Sequence, residues 1–183
     1  MRLTNSPDGY GFVHWALHWI TAALIFWLFW LGLTMVELPI SPQMFQDYAL
    51  HKSLGLTVLV LVLARLAWRR LTGVPALPDG MGRLESLVAT AVHHGIYVLL
   101  LVIPLSGWLY SGATASPANW FGFFTVPDLI GANEAVAKVL RAVHDIAGKL
   151  LMLCLALHVL GALKHHFISR DAVLKRMLLP RRS

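Results

Sequence analysis

Arg141 to His166 reads RAVHDIAGKLLMLCLALHVLGALKHH, and this stretch decides the fold. It is apolar enough to enter a bilayer, yet it holds His144, His158, His165 and His166. Ionisable side chains are costly inside hydrocarbon, so their presence in a span points to a function. His144 and His158 are fourteen residues apart. At about 100° per residue that interval is four turns less about 40°, which puts both rings on one face. At about 1.5 Å per residue it separates them by about 21 Å along the axis. One helix thus offers two imidazoles at two depths, and the other apolar runs must be searched for partners at each depth.

The whole chain agrees with a membrane setting. Its 183 residues are 57% hydrophobic and 13% charged, whereas soluble domains are nearer about one quarter charged. Cys154 is the only cysteine, which excludes a disulfide framework or a thiolate cluster. Any metal or cofactor then falls mainly to the nine histidines. The formal charge of +6 does not indicate nucleic acid, because of where the cations lie. Arg65, Arg69, Arg70 and Arg83 sit between the second and third apolar runs, and Lys164, Arg170, Lys175, Arg176, Arg181 and Arg182 follow the fourth. The positive-inside rule turns that pattern into a topology with both termini and the middle loop in the cytoplasm.

The apolar runs cover roughly residues 13–36, 51–68, 84–111 and 143–167. Each is long enough to cross about 30 Å of hydrocarbon as a helix. The expected fold is an all-α membrane protein, a four-transmembrane-helix bundle forming one domain over residues 1–183. Run one is too long for a signal-peptide core and is read as retained. Trp15, Trp19, Trp68, Trp108 and Trp120 lie near run ends, as interface anchors do. Glu37 to Leu50 has two prolines and no basic residue, which suits the non-cytoplasmic side. Gly73 to Gly82, with Pro75 and Pro78, reads as a cytoplasmic turn. Ala113 to Leu140 is the longest connection and carries the aromatic run FGFF, so it is expected to lie over the outer face as an interfacial segment.

This topology gives each histidine a depth. His51 and His144 begin their spans near the outer face, while His18 and His158 both fall in the cytoplasmic half. Two bis-histidine pairs in a four-helix bundle are what two b-type haems require, because haem iron takes axial imidazoles and bundle cores house cofactors between facing helices. A lone interfacial histidine is often only an anchor, but four that match in depth outweigh that reading. His93, about ten residues into the third span, is the strongest competitor as a ligand; otherwise it suits a propionate or quinone contact. His14, one turn before His18 on the same face, could replace it as a ligand but reads better as interfacial, as do His94, His165 and His166. Lys52 and Arg65 suit haem propionates or an electron donor, against a plain reading as snorkelling cations. Gly55, Gly107, Gly148 and Gly161 suit close approach of a flat macrocycle, or equally helix packing.

Five segments then show a resemblance: HWITAALIFW from His18, HKSLGLTVLVLVLARLAWR from His51, HHGIYVLLLVIPLSGWL from His93, HDIAGKLLMLCLALH from His144 and ALKHHFISRDAVLKRML from Ala162. Together they resemble the bacterial cytochrome b561 family, across nearly the whole chain and all four spans in order. That family is similar to the di-haem cytochrome subunits of membrane formate dehydrogenases and nickel–iron hydrogenases. The resemblance implies one haem between His18 and His158, another between His51 and His144, and a multi-pass location in the bacterial cytoplasmic membrane. It also implies electron exchange with ubiquinone. Stand-alone members resemble a superoxide oxidase, for which Lys52 and Lys149 would attract the anionic donor against the opposing charges of Glu134 and Asp145.

Two other readings compete. In one, the chain is a membrane-anchored relay for a separate periplasmic redox protein, with FGFF as the docking surface. In the other, a histidine-lined metal transporter, the spans would need polar groups clustered at mid-membrane and broken helices. The expected partners are lipid, the quinone pool, a periplasmic donor and a second copy of the chain in a homodimer.

Overall fold

The computed structural model describes residues 2–6, 9–75 and 81–178. Pro78 of the expected turn and Arg181 and Arg182 of the basic tail lie outside them. Among the described residues four helices are long and apolar enough to cross a membrane. They are α1 (Phe12–Met35), α2 (Pro42–Thr72), α3 (Arg83–Ala113) and α4 (Glu134–Lys164). A five-residue π-helical turn, His165–Ser169, follows α4 and leads to the short α5 (Val173–Leu178). The described residues are all-α but for one two-stranded hairpin, and the fold is a four-helix membrane bundle.

The helices outrun the apolar segments because polar caps start them early. Ser41 Oγ accepts the Met44 N–H at 3.3 Å, and Pro42 occupies the first helical position, where a missing N–H costs nothing. Asn133 Oδ1 accepts the Val136 N–H at 3.1 Å and starts α4. His51 and His144 therefore stand well inside helices, not at their ends. Gly73, at φ +69°, closes α2 by returning its N–H to the Arg69 carbonyl at 3.0 Å. Outward-facing Phe26, Trp30, Val60, Leu153 and Leu160 are each more than half exposed, as lipid-facing side chains must be.

The chain divides into two compact units, and each draws a segment from every long helix. The first comprises Met1–Ile20, Leu63–Val98 and Leu150–Ser183; the second comprises Thr21–Val62 and Leu99–Lys149. In the second unit Ile25, Leu31, Leu54, Val58, Val62 and Leu100 form the apolar core. Its connection from α3 to α4 carries the hairpin β1 (Asn119–Trp120) and β2 (Phe124–Thr125). Trp120 Nε1 donates to Thr57 Oγ1 at 3.1 Å and the Phe121 N–H donates to Ser53 Oγ at 3.1 Å, which ties the hairpin to α2. In the first unit Ile96, Leu151, His14 and His165 are buried. There Trp15 and Trp19 donate their indole N–H groups to the Leu178 and Met177 carbonyls, at 3.3 and 2.9 Å, and hold α5 against α1.

Candidate cofactor sites

In the second unit α2 and α4 bring His51 and His144 together, with ring centroids 6.1 Å apart. His144 Nδ1 donates to the Ile103 carbonyl at 2.9 Å, which fixes the tautomer and leaves Nε2 with its lone pair. Two glycines keep the rings' surroundings clear. A Cβ on Gly32 would lie 3.1 Å from His51 Cε1, and one on Gly107 would lie 3.1 Å from His144 Cε1. Buried His51 Nδ1 has no hydrogen-bond partner among the described residues. Lys52, next to His51, turns its ammonium to Ser116, donating to its carbonyl at 2.6 Å and its hydroxyl at 2.9 Å.

In the first unit α1 and α4 bring His18 and His158 to a centroid distance of 6.2 Å. His93, on α3, meets His158 edge-on at 5.1 Å and donates its Nδ1–H to the Ala89 carbonyl at 2.6 Å. Arg65, on α2, has Nη2 2.8 Å from His18 Nδ1 and lies over the Tyr97 ring at 5.3 Å. His94 bonds its own helix at Thr90. His14 departs from the interfacial expectation: it is only 3% exposed. His165 departs likewise, at 8% exposed, with Nδ1 2.5 Å from Asp171 and Nε2 3.3 Å from Glu85, which also pairs with Lys164.

These residues fit haem. A metal bonded to two imidazoles at about 2.0 Å each holds their centroids about 6 Å apart, close to both observed separations. The 5.1 Å contact of His93 with His158 is shorter than that span. Gly32 and Gly107 leave room that a side chain would fill. Of the glycines singled out in the sequence, Gly107 stands against a candidate ring, whereas a Cβ on Gly55, Gly148 or Gly161 would meet nothing within 4 Å. Gly32 was not singled out, yet it follows His18 by fourteen residues, the interval that joins His144 to His158. Among the described residues no three His, Cys, Asp or Glu side chains gather to hold a bare metal ion.

Four apolar helices carrying paired imidazoles define a multi-pass helical membrane protein built for a metal cofactor. The model of the prokaryotic cytochrome b561 family matches residues 9–180, and the chain belongs to that family. It is 35% identical to cytochrome b561 homolog 2 of Escherichia coli, over 97% of this chain and 95% of that protein. It is 31% identical to cytochrome b562 of Cereibacter sphaeroides, over 98% and 100%. It is 28% identical to the probable superoxide oxidase CybB of Yersinia pestis, over 91% and 93%. Family membership carries b-type haem, membrane electron transfer and a multi-pass place in the bacterial inner membrane.

Proposed function

We propose that the chain is a di-haem cytochrome b, with His51 and His144 as the axial ligands of one haem and His18 and His158 as those of the other. The observation that carries this reading is the pair of centroid distances, 6.1 and 6.2 Å, each suited to one bridging iron. Bound haem b supplies a one-electron ferric/ferrous couple. An imidazole on each face of a bound haem would leave no open coordination position, which suits electron transfer and not substrate binding at iron. His144 is held in its ligating tautomer by the Ile103 carbonyl. His93 lines the His18/His158 site without serving as its ligand. Lys52 and Arg65 supply positive charge beside the two pairs, toward an anionic donor or a haem carboxylate. Both termini face the cytoplasm in this reading, which the distribution of Arg and Lys supports.

The electron donor is superoxide on the outer side and the acceptor is ubiquinone. Two superoxide anions give up two electrons and leave as two molecules of oxygen; one quinone takes two electrons and two protons and leaves as quinol. The likeness to the probable superoxide oxidase of Yersinia pestis supports this choice of donor. The purified chain mixed with superoxide and a short-chain ubiquinone should reduce the quinone faster than the uncatalysed reaction. Quinone reduction at the background rate, with both haems present, would reject superoxide as donor. The exposed hairpin supports a second reading, a relay to a periplasmic redox protein: Phe121, Phe123 and Phe124 are 42%, 79% and 55% exposed. Co-purification of a haem or flavin protein that is lost with Phe123→Ser would favour it.

A further inference from the structure

The first unit contains four buried side-chain nitrogens with no hydrogen-bond partner among the described residues: His14 Nδ1, Arg65 Nε, Trp68 Nε1 and, beyond the end of α4, His166 Nδ1. At 3% exposure the His14 ring cannot be served by bulk water. It stacks on Tyr10, with centroids 4.5 Å apart and planes at 20°. The N-terminal segment that carries Tyr10 is itself pinned in place. Asn5 Oδ1 accepts the Gly11 N–H at 3.0 Å, while Asn5 Nδ2 donates to Thr72 Oγ1 and to the Gly73 carbonyl at 3.1 and 2.7 Å. Gly11 permits the fold-back, since a Cβ there would lie 2.4 Å from the Thr4 carbonyl oxygen. Trp68 stands one turn after Arg65 on α2, on the same face.

Leaving buried donors unmet is costly, so the missing partner has a defined chemistry. Arg Nε and Trp Nε1 can only donate, which makes the partner an acceptor. The fixed charge of Arg65, with Arg69 beside it over Tyr97 at 5.7 Å, makes it an anion. A planar carboxylate takes two or more such donors at once. The His51/His144 site has no such set: its neighbouring cation, Lys52, is already bonded to Ser116.

We propose that His14, Arg65 and Trp68 form a carboxylate clamp for a propionate of the haem held by His18 and His158, with Tyr10 positioning His14. The clamp rests on the axial assignment of that pair. The test uses the intact holoprotein, produced with haem labelled with carbon-13 at its propionate carboxyls. Redox-difference infrared spectra are compared for the wild type, Arg65→Gln, Trp68→Phe and His14→Gln. The labelled carboxylate bands should shift in each variant and return toward their wild-type positions in Arg65→Lys. Transfer of haem from this centre to excess apomyoglobin should be about tenfold faster in Arg65→Gln, the scale of a lost charge-assisted hydrogen bond. Two haems per chain with labelled bands unchanged in all three variants would overturn the clamp alone. A wild-type chain with no haem between His18 and His158 would overturn the axial assignment and the clamp together.

Discussion

Fourteen residues separate His18 from Gly32 on α1, His51 from Arg65 on α2, His93 from Gly107 on α3 and His144 from His158 on α4. Each long helix thus places one residue at each histidine pair, and the two sites are furnished differently at matching positions. The second unit has Gly32, His51, Gly107 and His144; the first has His18, Arg65, His93 and His158. A guanidinium has no lone pair to give a metal, so Arg65 cannot take the part that His51 plays on α2. In the first unit the facing imidazole comes from α1 instead, at the position where the second unit has Gly32. The difference teaches that one helical interval can build two sites of opposite character. One is lined by glycines and neutral carbonyls. The other is crowded with donors, a cation and a third imidazole.

The comparison breaks most visibly at the glycines. Gly107→Val puts carbon atoms against the His144 ring, where even a Cβ would stand at 3.1 Å. It should remove half the haem, read by pyridine haemochrome per chain, and Gly32→Val should do the same. The mirror substitution, His93→Gly, gives the first unit the second unit's residue and should leave the haem count unchanged. If His93→Gly also removed one haem, His93 would be a ligand and the pairing of His18 with His158 would fail.

A smaller effect concerns the acid side of stability. Partial burial works to raise the Asp171 carboxyl, but the Val173 N–H at 2.9 Å and the His165 ring outweigh it, so its pKa lies below the usual carboxylate range. A carboxyl lowered in the folded state contributes stability above its unfolded value, and loses it as pH falls through the folded one. Asp171→Asn should cost about 1 kcal/mol near neutrality, the net worth of such a bond. The gap to wild type should close below about pH 4, the ordinary carboxylate range. Thermal unfolding across pH checks this, and a gap that persists at acid pH would rule the contact out as its source. In the second unit the exposed hairpin tip should be the least sensitive of all. Phe123→Ser should change stability by less than about 0.5 kcal/mol and leave both haems in place.

Much of this was legible before any coordinates. Composition and the four apolar runs specify the spans, because hydrocarbon tolerates little else than a helix. The expected histidine pairs rest on the depths that helical rise and the charge-derived topology assign, and the family resemblance implies the same pairs. Helix ends were harder, since Ser41 and Asn133 extend α2 and α4 beyond the apolar residues that betray them. The burial of His14 depends on the N-terminal segment folding back through Asn5, a contact between residues far apart in the chain. The hairpin likewise depends on Ser53 and Thr57 of α2. Gly32 is within reach of the sequence, because the fourteen-residue interval of α4 recurs from His18 on α1.

The central claim is that each unit holds one haem between its own two histidines. Pyridine haemochrome quantification with a reduced-minus-oxidised spectrum, on the purified chain and on His18→Ala, His51→Ala, His144→Ala and His158→Ala, tests it most directly. The account predicts two haems b in the wild type and one in every variant, with one residual spectrum shared by His18→Ala and His158→Ala and another by His51→Ala and His144→Ala. A single haem in the wild type, or residual spectra that pair the variants otherwise, would contradict it.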